Sequence, residues 1–350
     1  MKKLEAGSFY SGHITEGCRQ CRYGRKMVLF ITPACKMRCF YCPISEDRRK
    51  KDMFANEREV FDEQGVIDEI KISNAYGTGI TGGDPLYYPL RTIHYIKLIK
   101  SAFGNKHHIH LYTITPNYKL LKKMFETGLD EARMHIPNYL WNRFEGSLYY
   151  KTIKALVEEG WLIGVEIPVL PYRENDIIKL IESLDKINVK FINLNELEFS
   201  PTNWIKMEKH SIKLRNLNSA EAKGSRETAL KVVNKTEKLN ISVHFCSSPF
   251  KDSVQLRRRL MLRAKMVKKP YDLITKDSTI LRGIIENNTI ENIEILKKLK
   301  IPSRYYEVVD EKIYIASWII SEIHKKLKGK SYIVELYPTA DSLEVERMAL

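Results

Sequence analysis

The chain is short of glutamine, with only Gln20, Gln64 and Gln255 among 350 residues, and it has only six cysteines. No apolar run approaches the ~18–20 residues of a membrane span. There is no low-complexity tract and no internal repeat. The opening residues, MKKLEAGSFYSGHITEG, start basic but lack the apolar core of a secretion signal. These shortages exclude a disulfide scaffold, a helical membrane protein and a repeat array, and they predict a cytoplasmic protein in reducing surroundings. With 43% hydrophobic and 29% charged residues, the length suits one large domain, or one large and one small. The net charge of +15 has two readings: a polyanionic partner, or a lysine-rich surface of thermophile type.

Short β-branched runs alternate with amphipathic helical patterns. Strands are predicted over 26–32, 76–83, 108–115, 131–137, 162–170, 190–199 and 241–246, most ending at Gly, Pro or Asn. Helices fall between them, the longest over 219–239 with a cap at Asn218 or Ser219. Strands separated by single helices make a parallel sheet. Six or seven such units predict an α/β fold, a partial (β/α)6-7 TIM-like barrel, with active residues on the loops after the strands. Three parts are expected: an N-terminal segment over 1–25, the barrel over 26–250, and a small α/β appendage over 251–350. In the appendage, 254–269 reads as a basic helix, followed by helices over 289–299 and 313–327 and strands over 304–310 and 331–338.

Half of the cysteines, Cys35, Cys39 and Cys42, fall within the eight residues CKMRCFYC, directly after the first strand. Structural zinc sites usually draw two distant pairs of ligands. Three thiolates on one loop fit instead a [4Fe–4S] cluster with one iron left open. The segment TGGDP over 81–85 ends the next strand.

These two segments, in this order and register, resemble the signature of the radical S-adenosylmethionine (SAM) superfamily. The wider stretches FITPACKMRCFYCPIS, GTGITGGDPL, HIHLYT and HFCSSPFKDSVQLRRRL resemble a largely archaeal branch related to pyruvate formate-lyase activating enzymes. The resemblance implies a radical SAM enzyme of oxidoreductase type. The cluster on Cys35, Cys39 and Cys42 binds SAM at its open iron and cleaves it reductively to a 5′-deoxyadenosyl radical. That radical takes hydrogen from a substrate, an RNA nucleoside or a metabolite; in the alternative, the enzyme is an activase that places a glycyl radical on a partner protein. A non-catalytic metal-binding module is the third class. The implied electron donor is a ferredoxin or flavodoxin-like protein. Tyr41, Gly82, Gly83, Asp84, Thr115 and Asn117 are the expected SAM contacts, with Asp84 standing where glutamate is commoner.

Candidate catalytic residues are Arg133, His135 and Glu166. The first two alternate on the fourth strand, and Glu166 is a charge within an apolar run. Cys18, Cys21 and Cys246 are left over. They form a second metal site, either a structural zinc completed by His13 or His244 or an auxiliary iron–sulfur cluster of the three cysteines with an open iron for substrate, or they hold no metal. A geometric objection stands against their meeting. Cys21 precedes the first strand, at the barrel bottom, whereas Cys246 ends a strand, about 23 Å away along seven strand residues. The basic helix, with Arg257, Arg258, Arg259, Arg263, Lys265, Lys268 and Lys269 and no acid, is the local argument for an RNA partner.

Overall fold

The computed structural model describes residues 1–350 and divides them into two compact units. The first holds Met1–Ile70 and Ala75–Leu256; the second holds Lys71–Asn74 and Arg257–Leu350.

Seven parallel strands of the first unit follow one another in chain order: β1 (Lys26–Phe30), β2 (Gly77–Thr81), β3 (His108–Thr113), β4 (Glu131–Met134), β5 (Ile163–Val169), β6 (Phe191–Glu196) and β7 (Ser242–Cys246). Helices cross between them as the apolar spacing predicts. β1 and β7 do not pair with each other. Short antiparallel strands cover both edges, Phe54–Ala55 on β1 and Phe9–Ser11 on β7. The result is an incomplete barrel of seven strands.

Both faces of these strands are buried, and the period of two divides them by chemistry. Outward positions such as Met27, Leu29, Ile109, Leu111, Val165, Ile167, Ile192, Leu194, Val243 and Phe245 join the apolar core under the helices. Inward positions are polar or small: Lys26 on β1, Gly77 and Gly79 on β2, His108, His110 and Tyr112 on β3, Glu131 and Arg133 on β4, Gly164 and Glu166 on β5, Asn193 and Asn195 on β6, His244 and Cys246 on β7. The ladder sets Tyr112 beside Arg133 and Arg133 beside Gly164, and it sets Glu166, Asn193 and His244 in one row.

Helix Glu16–Arg22 enters the lower lumen. Thr15 caps it by accepting from the Cys18 amide. A Cβ on Gly17 would stand 2.7 Å from Arg133 Nη2 and 2.8 Å from His110 Nδ1, so only glycine lets the helix in this far. The N-terminal segment therefore does not stay below the first strand, and the geometric objection to a meeting of Cys18 and Cys21 with Cys246 falls away.

Some elements differ from expectation. The helix expected over 219–239 begins only at Ser225, because Glu221 and Ala222 are held in isolated bridges to Glu198 and Leu214. The basic helix starts as a π-helical segment, Lys251–Leu256, before the α-helix Arg257–Val267. In the second unit, 313–327 is not one helix. Its first residues form a strand, since Ile313 and Ile315 alternate into the core.

The second unit is an antiparallel sheet with two helices. Its strands are β8 (Ile280–Glu286), β9 (Tyr306–Val309), β10 (Lys312–Ile315), β11 (Lys330–Leu336) and β12 (Glu344–Ala349), in the order β9-β10-β8-β11-β12. Helix Thr289–Lys298 follows β8 and Ser317–Ile323 follows β10, giving a βαββαβ unit with two added strands, β12 and the short Leu273–Ile274 that pairs with β8. No helix of either unit is long and apolar enough to cross a membrane.

Candidate active site

The three clustered cysteines lie on an irregular loop above β1, as expected for the catalytic end of a barrel. The loop after β2 holds this loop in place. Gly83 N donates to Thr32 O at 2.6 Å and Asp84 N to Ala34 O at 2.8 Å. A Cβ on Gly82 would lie 2.4 Å from Thr32 O, and one on Gly83 would lie 2.3 Å from Ala34 O. The paired glycines thus let the second loop press against the backbone that carries the cysteines.

Asp84 is buried and turned away from the open space. One carboxylate oxygen accepts from Thr113 Oγ1 at 2.6 Å and from the Leu86 amide, and the other accepts from Thr115 Oγ1. Asn117 caps helix Tyr118–Thr127 through the Leu120 amide. Of the six expected SAM contacts, Tyr41, Gly82 and Gly83 line the central cavity, and Asp84, Thr115 and Asn117 do not. Asp84 and Thr115 bind the rims of β2 and β3 together, and Asn117 caps the helix that follows.

That cavity, about 910 Å³, runs from the cysteine loop down to the lumen. Cys35, Cys39 and Cys42 line its upper wall, and Arg133, His135 and Glu166 its floor. Burial pushes the Cys35 and Cys39 thiols up from their usual range. Arg49 Nη2 lies 3.7 Å from Cys42 Sγ.

Arg133 organises the floor. Its Nε donates to Glu131 at 2.5 Å, and its Nη1 donates to Glu166 at 2.8 Å and to Tyr112 Oη at 3.3 Å. Its Nη2 reaches Thr15 Oγ1 and Cys18 Sγ. Glu166 also accepts from Asn193 Nδ2 at 3.0 Å and Asn195 Nδ2 at 2.8 Å. Burial alone would raise the Glu166 carboxyl, but Arg133 and the two amides outweigh it and hold it below the usual range. A fixed carboxylate therefore faces the cavity.

His135 accepts at Nε2 from the Tyr41 hydroxyl at 2.9 Å and donates from Nδ1 to Glu166 O at 3.2 Å. Burial brings its pKa down to about 4, against a smaller opposing pull from the Glu166 carbonyl. It is a neutral imidazole that orients Tyr41, the residue before Cys42.

Sequence reasoning missed Lys26 and Tyr112. Lys26 Nζ sits 3.2 Å from His110 Nε2 and 3.3 Å from Tyr112 Oη, and both residues line the cavity. The inward phase of β1 and β3 is the signal that marks them. The cations of the basic helix are partly used within their own unit: Arg257 and Arg263 donate to the carbonyls of Lys276 and Pro338, and Lys269 lies 3.6 Å from Glu307.

Three thiols on one loop, a cradle that a Cβ would fill, and a closed polar floor fit a [4Fe–4S] cluster with SAM above the lumen. This arrangement defines a radical SAM enzyme. Residues 29–184 match the family model "Radical SAM superfamily", and 278–350 match "Domain of unknown function (DUF8061)". The chain is 41% identical, over 96% of its own length and 93% of the relative's, to "Putative glycyl-radical enzyme activating enzyme MJ0021" of Methanocaldococcus jannaschii. The chain belongs to the radical SAM superfamily, in the branch of that relative. Among solved structures, Streptococcus suis SuiB bound to S-adenosylmethionine aligns with 64% of this chain and 50% of its own, at 11% identity and a TM-score of 0.44. SuiB bound to its precursor peptide SuiA aligns at 13% identity and the same TM-score.

Two outcomes are expected. Gly83→Ala drives a methyl into two backbone carbonyls and displaces the cysteine loop. Iron bound per chain after anaerobic reconstitution should fall severalfold while the far-ultraviolet dichroism is kept; full iron binding would contradict the cradle. The second concerns pH. The unfolded His135 takes up a proton near 6.5, the native one only near 4. Its contribution is therefore intact above pH 6.5 and is lost as pH falls toward 4, on the order of 3 kcal/mol. His135→Gln should flatten this acid limb in urea unfolding series, and an unchanged slope would refute it.

Proposed function

We propose that the chain is an activating enzyme that takes a hydrogen atom from a partner polypeptide. The observation that carries this reading is the 41% identity, nearly end to end, to a relative named as a glycyl-radical enzyme activating enzyme. When bound, the cluster supplies the electron that cleaves SAM to the hydrogen-abstracting radical. A ferredoxin or flavodoxin-like protein is the proposed source of that electron.

The protein's own residues bind, orient and shield. Gly82 and Gly83 set the loop height, Tyr41 is held by His135, and Arg133 fixes Glu166 and Tyr112 at the cavity floor. Helix Glu16–Arg22 enters the lower lumen and covers that side, with Gly17 against Arg133 and His110. Substrate therefore enters at the cysteine-loop end. Large exposed side chains flank that end: Tyr87 and Tyr88 follow the second loop, Lys36 of the cysteine loop stands over the Tyr87 ring, and Trp204 and Ile205 share a helix with Lys206 of the cavity wall. Apolar side chains around a mouth suit a polypeptide better than a small metabolite. They also suit it better than an RNA strand, which would need a continuous basic track.

The test uses the reconstituted protein under dithionite with SAM. 5′-Deoxyadenosine should appear with wild type and be absent from the Cys35→Ala/Cys39→Ala/Cys42→Ala variant. Added glycyl-radical protein from the same genome should gain a glycyl radical in its electron paramagnetic resonance spectrum. Deoxyadenosine formation stimulated by RNA, and by no glycyl-radical protein, would overturn the reading.

A further inference from the structure

Four metal-ligating side chains stand outside the cysteine loop, and the chemistry above uses none of them. Cys18 and Cys21 are three apart on helix Glu16–Arg22, hence on one side of it. His244 and Cys246 lie on the inward face of β7 beside Asn193 and Asn195; Cys246, at the strand's end, also packs against Phe250 and Val254 and accepts from Gln255 Nε2 at 3.6 Å. The two pairs converge. Cys18 Sγ lies 3.4 Å from Asn193 Nδ2, His244 stands beside Cys18, and both Cys18 and Cys21 act electrostatically on Cys246. His13 is exposed and takes no part.

Two further observations point to a missing ligand. His244 is only 5% exposed, and neither ring nitrogen makes a hydrogen bond of normal geometry; its polar neighbour is the Cys18 thiol, itself one of the four side chains. A buried polar group left so is destabilising, and an imidazole nitrogen is a common metal donor. Lys26 is a buried ammonium whose hydrogen-bond partners, His110 and Tyr112, are neutral. Besides the Glu166 carboxylate, Cys21 and Cys18 lie within its electrostatic reach, and thiolates there would add negative charge beside it.

We infer that Cys18, Cys21, Cys246 and His244 hold a second iron–sulfur cluster in the lumen beneath the SAM cavity. A single zinc ion fits less well, because no three His, Cys, Asp or Glu side chains surround one ion position. Cysteines of a cluster bind separate irons and stand further apart, and Cys35, Cys39 and Cys42 likewise form no group around one ion position. Arg133 Nη2 and Asn193 Nδ2, each 3.4 Å from Cys18 Sγ, then donate to a cluster thiolate, the kind of contact that sets a cluster's potential.

The test counts iron, acid-labile sulfide and zinc per full-length chain after anaerobic reconstitution. The Cys35→Ala/Cys39→Ala/Cys42→Ala variant leaves the lumen untouched and is decisive on its own. It should keep roughly half of the wild-type iron with matching sulfide. Cys18→Ala/Cys21→Ala should keep the other half, which also shows that it folds, and the five-cysteine variant should keep none. His244→Gln in the loop-triple background should shift the resonance of the retained cluster. A loop-triple variant with no iron, or with zinc alone, overturns the second cluster while leaving the radical chemistry standing. A wild type without iron overturns both.

Discussion

A single buried guanidinium ties the barrel floor together. Arg133 reaches Glu131 on its own strand, Glu166 on the next, Tyr112 on the strand before, and Thr15 and Cys18 of the lumen helix. Such a group adds little net stability, because two desolvated charges only recover what burial costs them. Removing one partner is a different matter, since it strands a charge and costs about 3–5 kcal/mol. What Arg133 contributes is orientation. It fixes which oxygen of Glu166 faces Asn193 and which faces Asn195, and it sets how deep the helix sits. A planar fork with several donors can do this; a lysine ammonium cannot.

The upper half of the site rests on backbone contact instead. The loop after β2 pairs with the loop after β1 almost as a strand would, and two glycines make that approach sterically feasible. Asp84 then binds both threonines of the β3 rim. Its carboxylate is shorter than the glutamate commoner in the family and is spent on the scaffold. The site thus joins a rigid floor of charges to a roof of main-chain hydrogen bonds, with the cysteines between.

Much of this was legible in the residues because parallel strands buried on both faces keep a strict period of two. Arg133 and His135 could be singled out from their alternation on one strand, Glu166 as a charge within an apolar run, and the three cysteines from their spacing. Three things were hidden. The path of residues 1–25 depends on the absent Cβ of Gly17 meeting Arg133, a contact between distant parts of the chain. The roles of Asp84, Thr115 and Asn117 depend on which side of a loop a short side chain turns. In the second unit, β10 is only four residues long, too short for the alternation of Ile313 and Ile315 to stand out against the helical run that follows it.

The central claim is that the three-thiol loop and the lumen floor form one chamber in which SAM binds the open iron. Electron–nuclear double resonance on the reduced, reconstituted protein with SAM labelled by 15N at its amino group tests it most directly. A 15N coupling with the labelled SAM that is replaced by the 14N pattern with the unlabelled form is the predicted result. A cluster signal unchanged by bound SAM would contradict it.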